Sequence, residues 1–184
     1  MELLNVRKDM KSKRLGLSLN DVKNLSLAVT KNLFSLEFIN KKQNFFIYNS
    51  IKNEVDTAEI ITTLLYSGKT VAFPLINGLD LTPAIPLDYE YVLDVLGCKI
   101  PKNYSVMTNV DVAIIPLVAC DENKNRVGYG KGYYDRFLKD KNCIKIGLAY
   151  DFQVLKNITP NSWDIPLDYI ITPTRIIGDI LWKF

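Results

Sequence analysis

Between Asn44 and Phe73 the chain spells out a strand, a helix and a second strand, and no other stretch constrains the fold as tightly. Asn44–Tyr48 (NFFIY) is an aromatic and β-branched run of the kind that makes a buried strand. Asp56–Ser67 then has the spacing of a helix, closed by Gly68, the residue type best suited to the left-handed position beyond a helix end. Thr70–Phe73 is the next strand, stopped by Pro74. Strands joined through a helix lie parallel, with a right-handed crossover. Parallel sheets are covered on both faces. The expected fold class is therefore α/β, a single-domain three-layer sandwich with a mostly parallel, Rossmann-like open sheet.

The flanking segments extend this plan. From about Val6 to Phe38 the pattern is helical, with Leu25, Val29, Leu33 and Leu36 at helical spacing. Ser18, followed three positions later by Asp21, is a weak capping-box variant that divides the stretch into two helices near Leu17–Ser18. Val112–Ile115, set between Asp111 and Pro116, is the clearest core strand, and Ile144–Ala149 and Tyr169–Thr172 are two more. Tyr133–Lys139 reads as a helix, and the segment from Arg175 as a small terminal strand or hairpin. Residues 77–108 are the least legible; within them Tyr89–Leu96 is either a strand pair or a short helix. No repeat or low-complexity linker divides the 184 residues, and a hydrophobic content of 48% suffices for one core, so a single domain over 1–184 is expected.

Composition removes whole classes of chemistry. The chain has no histidine, which excludes Ser-His-Asp and Cys-His machinery and every histidine-based metal site. Cys98, Cys120 and Cys143 are widely spaced and form no CxxC pair, so neither a disulfide framework nor a structural zinc site is suggested. Cys120 and Cys143 lie beside apolar runs and read as small core residues. The net charge of +3 is low for a nucleic-acid binder, and the basic excess sits in one helical stretch from Arg7 to Arg14. The chain opens on charged residues without an apolar leader region, and no apolar run approaches the ~18 residues of a membrane span. A cytoplasmic protein without nucleic-acid or membrane partners is expected.

The most informative segment is VAIIPLVACDENKNRVGYGKGYYDRFL, residues 112–138. It alternates Gly128, Gly130 and Gly132 between Arg126 and the pair Asp135–Arg136. Alternating glycines let successive backbone N–H groups turn toward one point, and the helix start beyond them favours a phosphate. Arg126, Lys131 and Arg136 are candidates for charge-assisted bonds to phosphate oxygens, and Asp135 has the chemistry to hold Mg²⁺. A glycine-rich surface loop with solvated charges is the alternative, because the order is neither GxxxxGK[ST] nor GxGxxG. Its position after a core strand, with cations within and before it, favours a phosphate or nucleotide.

This segment resembles the signature of the 5-formyltetrahydrofolate cyclo-ligase family, also called methenyltetrahydrofolate synthetase. That signature is a strand, a proline, an acidic loop and Arg-Leu-Gly-x-Gly-x-Gly-Tyr-Tyr-Asp-Arg; here Val127 replaces the leucine within Arg126–Arg136. Tyr48–Thr57, Val71–Pro74, Ile146–Tyr150 with Gln153, Trp163–Asp168 and Ile170–Thr172 resemble further blocks of the family. The resemblance implies an ATP- and Mg²⁺-dependent enzyme that converts 5-formyltetrahydrofolate, with or without a polyglutamate tail, to 5,10-methenyltetrahydrofolate with release of ADP and phosphate. In the implied chemistry the N5-formyl oxygen attacks the γ-phosphate, N10 closes on the activated carbon, and phosphate leaves. Such a reaction asks mainly for placement and charge neutralisation, which a chain without histidine can supply.

Carried over to this chain, Arg7, Arg126, Val127, Gly128, Tyr129, Gly130, Lys131, Gly132, Tyr133 and Tyr134 are implied for ATP. Asn49, Glu54, Tyr129, Gly130, Lys131, Gly132, Tyr133 and Trp163 are implied for the folate, and Asp135 and Asp168 for magnesium. Lys131, Arg126 and Tyr133 are the catalytic candidates. Leu3 departs from the family pattern, because many members have lysine four residues before the position of Arg7. Either Lys8 or Lys11 replaces it, or that contact is absent. A nucleotide-binding regulatory module without turnover is the alternative function, and the quaternary state is open between monomer and homodimer.

Overall fold

The computed structural model describes residues 3–93 and 97–178. In chain order, α1 (Leu3–Leu15), α2 (Leu19–Phe34) and α3 (Glu37–Lys41) precede β1 (Asn44–Ile47). Helix α4 (Ala58–Tyr66) connects β1 to β2 (Thr70–Asn77), which turns back into β3 (Asp80–Pro86). The short strands β4 (Tyr91–Leu93), β5 (Lys99–Pro101) and β6 (Tyr104–Val106) follow, then β7 (Val112–Ile115), β8 (Ala119–Asp121) and β9 (Arg126–Val127). Helix α5 (Tyr133–Leu138), β10 (Ile144–Leu148), β11 (Val154–Leu155), β12 (Tyr169–Ile171) and β13 (Ile176–Ile177) complete the described chain.

The main sheet has eight strands in the order β13-β12-β10-β7-β1-β2-β3-β6. Its central strands, β12 through β2, pair parallel, and antiparallel β13, β3 and β6 extend the two flanks. Residues of the central strands alternate between two cores. Phe45, Ile47, Val112 and Ile114 pack with Leu33 of α2, Ile39 of α3 and Ile60 of α4. Phe46, Ala113 and Ile115 face the other way, against Leu138 of α5. Every residue of β7 is buried, which is why both sheet faces need a helical layer. This is the three-layer α/β sandwich expected from the strand–helix–strand unit.

The helical boundaries follow local chemistry. Ser18 caps α2, its Oγ accepting from Asp21 N at 3.1 Å while Asp21 Oδ2 accepts from Ser18 N at 3.3 Å, a complete capping box. Gly68 follows α4 with φ +71°, as a left-handed terminator should. Asp111 fixes the start of β1 beside β7, accepting from Gln43 N at 3.0 Å and Asn44 N at 2.8 Å.

Three expectations need correction or completion. Pro74 does not stop its strand: β2 continues to Asn77. Beyond Ala72 it leaves its parallel partner β1 and pairs with β3, placing Pro74 opposite Pro83. A proline pair fits where neither residue is required to donate to the ladder. Tyr91–Leu93 pairs antiparallel with Lys99–Pro101, which rules out a helix there; residues 94–96 lie outside the described chain. The terminal hairpin is β12–β13, and residues 179–184 also lie outside. A second small sheet, β11-β8-β9, was not anticipated.

The chain order makes a switch point between β1 and β7. The sequence moves from β1 outward through β2, then returns to the opposite side of β1 and proceeds through β7, β10 and β12. Loops leaving the carboxyl ends of β1 and β7 therefore part in opposite directions and open a crevice.

Gly147 on β10 tests the packing of this frame. A Cβ there would sit 2.6 Å from Leu167 Cδ1 and 2.7 Å from Leu117 Cδ2. Gly147→Ala should destabilise the protein by about 1–3 kcal/mol through overpacking, read as a lower urea midpoint with an unchanged m-value.

Candidate active site

A cavity of about 1140 Å³ opens at this switch point, larger than one drug-sized ligand needs. Its wall includes Arg7 from α1, Asn49 and Glu54 from the β1–α4 connection, the glycine loop 128–132, and Trp163. The small sheet β11-β8-β9 carries the glycine loop. Val6 and Met10 of α1 pack on Val118, Ala119 and Val127, so the N-terminal helix is seated directly behind that loop.

The glycines are required by conformation and by neighbours. Gly130 has φ +94°, and the Arg7 guanidinium carbon lies 3.5 Å from where a Cβ would stand. Arg7 Nε donates to Gly128 O at 2.8 Å, so Arg7 holds the loop from behind as well as lining the cavity. Gly132, at φ +66°, precedes α5, and a Cβ there would come within 2.9 Å of Arg136 Nη1. Arg136 itself is a loop brace. Its Nε and Nη2 donate to Leu79 O at 3.0 and 2.5 Å and its Nη1 to Lys131 O at 3.1 Å, so each guanidinium nitrogen already serves a backbone carbonyl. Lys131 is exposed at the cavity wall, and among the described residues its ammonium makes no ion pair.

Behind the loop lies a buried ion pair. Arg126 Nη2 meets Asp135 Oδ1 at 2.6 Å, and Ile165 N donates to the same oxygen at 3.1 Å. Arg126 Nε is buried without a hydrogen-bond partner. An unsatisfied guanidinium N–H is costly, and on a residue that lines the cavity it is a donor an anionic ligand can satisfy. Val127, Tyr133 and Tyr134 line the cavity too. Tyr134 packs on Phe46 with centroids 6.0 Å apart, and burial holds its phenol well above the usual range.

The two aspartates expected at the metal are not equivalent. Asp135 lines the cavity, whereas Asp168 is not among the lining residues. Asp168 Oδ2 accepts from Lys145 N at 2.7 Å and meets Lys145 Nζ at 2.9 Å, tying the approach to β12 onto β10. Among the described residues no three His, Cys, Asp or Glu side chains form a metal cage. Of the two, Asp135 is the one at the cavity wall, where a magnesium ion would keep waters and phosphates as most of its ligands.

Across the cavity, Glu54 is buried at the foot of a tight turn. Tyr129 donates a short hydrogen bond to Glu54 Oε1, and Ile51 N donates to Oε2 at 3.0 Å. Burial raises the Glu54 carboxyl above its ordinary value, against the lowering effect of these bonds and of Arg14. Tyr129 is also raised, first by burial and then by the adjacent Glu54. Arg14, only 2% exposed, donates through Nη2 to Tyr129 Oη at 2.7 Å, and its Nη1 lies 3.7 Å from Glu54 Oε1. Sequence reasoning missed Arg14; its signal was the helical stripe Val6, Met10, Arg14, which is the buried face of α1. Asn49 Nδ2 donates to Lys99 O at 2.8 Å, and Trp163 is 68% exposed on the cavity wall.

Leu3 also lines the cavity, and neither Lys8 nor Lys11 is among the lining residues. Lys11 instead places its ammonium 4.9 Å from the centre of the Tyr129 ring. Burial, then repulsion from Arg14, Lys52 and Arg7, lowers its pKa.

Comparison with known proteins agrees over most of the chain. Residues 3–173 match the model of the 5-formyltetrahydrofolate cyclo-ligase family. The Escherichia coli K12 5-formyltetrahydrofolate cyclo-ligase is 33% identical over 141 residues, covering 71% of this chain and 78% of that protein. The Haemophilus influenzae cyclo-ligase is 29% identical over 175 residues, covering 88% and 92%. The Aquifex aeolicus 5,10-methenyltetrahydrofolate synthetase structure superposes with a TM-score of 0.87 at 31% identity, covering 97% of this chain and 93% of its own.

Two measurements probe the buried charges. Asp135→Ala strands Arg126 and should cost about 3 kcal/mol in urea unfolding. Because the Glu54 pKa is raised on folding, the native state binds more protons than the unfolded state between the ordinary value of 4.5 and the raised one. Over that window this group makes stability fall as pH rises, and Glu54→Gln should remove its share of the slope in a stability–pH series.

Proposed function

The chain belongs to the 5-formyltetrahydrofolate cyclo-ligase family, and we propose that it catalyses the ATP- and Mg²⁺-dependent conversion of 5-formyltetrahydrofolate to 5,10-methenyltetrahydrofolate, releasing ADP and phosphate. The observation that carries the residue assignment is the glycine loop with an uncommitted Lys131, facing the same cavity as the buried Glu54–Tyr129 pair. Loop and pair give one cavity a phosphate-accepting wall and a carboxylate that can meet the donors of a pterin ring.

Arg7 and the backbone of Gly128, Gly130 and Gly132 hold the nucleotide, with Arg126 and Lys131 meeting phosphate oxygens. Donors fixed before the substrate arrives stabilise the charge spread over a transferring phosphoryl group. Asp135 is the protein ligand for magnesium, which when bound supplies charge neutralisation between phosphates. Glu54 and Asn49 position the folate, Trp163 flanks it, and Tyr133, half-buried at the start of α5, lies between the two ligands. These placements bring the formyl oxygen and the γ-phosphate together.

No helix among the described residues is long and apolar enough to cross a membrane; the enzyme proposed is a cytoplasmic one acting on a small molecule. Leu3 in the cavity wall favours one other reading, a nucleotide-binding module without turnover.

Purified protein mixed with Mg-ATP and 5-formyltetrahydrofolate should show the near-ultraviolet absorbance of the methenyl product, dependent on ATP. Lys131→Ala should lower kcat by about 10²–10³-fold, as removal of a well-placed donor does, with little change in the unfolding midpoint of an exposed site. ATP binding without product would support the non-catalytic reading.

A further inference from the structure

Arg14 is nearly fully buried and is not among the residues that line the cavity, yet it bonds to both sides of it. Its Nη2 donates to Tyr129 Oη at 2.7 Å, in the middle of the glycine loop. Its Nε donates to Lys52 O at 3.0 Å, and Asn53 Nδ2 donates back to Arg14 O at 3.2 Å. Lys52 and Asn53 are consecutive non-glycine residues with φ of 50° and 56°, a conformation that persists only where the surroundings hold it. That turn presents Glu54, whose Oε1 accepts from Tyr129 and lies 3.7 Å from Arg14 Nη1. One guanidinium therefore grips the turn that aims Glu54 and the loop residue that bonds to Glu54.

We infer that Arg14 is a positioning residue that couples the two halves of the cavity, so that closing the glycine loop on a nucleotide and seating a folate at Glu54 favour one another. This rests on the functional reading above. Tyr129 stands between Gly128 and Gly130, so any shift of the loop onto phosphates moves its hydroxyl. The hydroxyl cannot move without changing its bonds to Arg14 and Glu54. A ligand that engages Glu54 fixes the same hydroxyl from the other end. Because Arg14 is held through three separate bonds, the arrangement it enforces involves both segments at once, and linkage then requires each ligand to raise the affinity of the other equally.

The test is titration calorimetry of a non-hydrolysable ATP analogue with Mg²⁺, in the presence and absence of saturating 5-formyltetrahydrofolate. In the wild-type chain folate should tighten nucleotide binding about tenfold, within the usual range of such coupling. In Arg14→Met and in Tyr129→Phe that ratio should fall to about 1. Tyr129→Phe keeps the ring and removes only the relaying hydroxyl, so it decides the matter even where Arg14→Met does not fold. A merely structural role would weaken both titrations together and leave the ratio intact, which would overturn the inference, as would a wild-type ratio of 1. A wild-type chain that neither binds nor converts 5-formyltetrahydrofolate overturns the functional reading with it. Conversion with an unchanged ratio in Tyr129→Phe overturns the coupling alone.

Discussion

Burial of the central strands on both faces is the constraint from which the rest of the structure follows. Phe45, Phe46 and Ile47 of β1 and all of β7 are inaccessible to water, so neither face of the sheet can be left open. Helices α2 to α4 cover one side and α5 the other, and the connections that make this possible force the strands parallel. Parallel strands send their carboxyl ends the same way. With β7 returning to the far side of β1, the loops at that end diverge and the cavity is a by-product of topology. What the chain adds is the content of those loops.

That content is unusual for how much charge it buries. Arg14, Glu54 and Arg126 are all nearly closed to solvent, and Asp135 is largely so. Replacing buried ion pairs with apolar residues is often neutral or stabilising, so such groups are poor devices for stability. They are good devices for geometry, because each charged head is held by several directional bonds. Arg7, Arg14 and Arg136 follow the same logic on three sides of the glycine loop, each donating to a backbone carbonyl or hydroxyl that fixes a short, side-chain-poor segment. A loop made of glycines can approach a ligand closely but cannot hold itself in place. Here arginines supply the stiffness.

Much of the fold was legible because its central strands are short apolar runs bounded by turn residues. β1, β7, β10 and β12 and the helices α4 and α5 lie where the pattern put them, within a residue or two, and α2 starts there. The stretch expected to stay helical to Phe38 instead breaks after Phe34 and resumes as α3. β3, β5, β6, β8, β9 and β11 were not read. They are short, carry prolines or mixed polarity, and owe their pairing to partners distant in sequence, which periodicity does not record. The site divides along the same line. The glycine motif announces a phosphate loop through residue types, whereas the partners that Arg136 and Asp168 take in the fold, Leu79 and Lys145, are distant in sequence and set by the tertiary structure. Arg14 was missed because a basic residue in a basic helix looks solvated until the apolar stripe on its own face is noticed.

The proline pair between β2 and β3 has a consequence for the cavity. Met107 N donates to Pro83 O, which shows that Pro83 turns its carbonyl away from β2; its partner Pro74 likewise turns away from β3, toward the margin that β1 has already left. Pro74 lines the cavity along that margin. A peptide edge normally offers a hydrogen and an oxygen side by side, but a proline offers the oxygen alone. At Pro74 the wall is therefore one-handed: that residue can receive a ligand's hydrogen and has none to give.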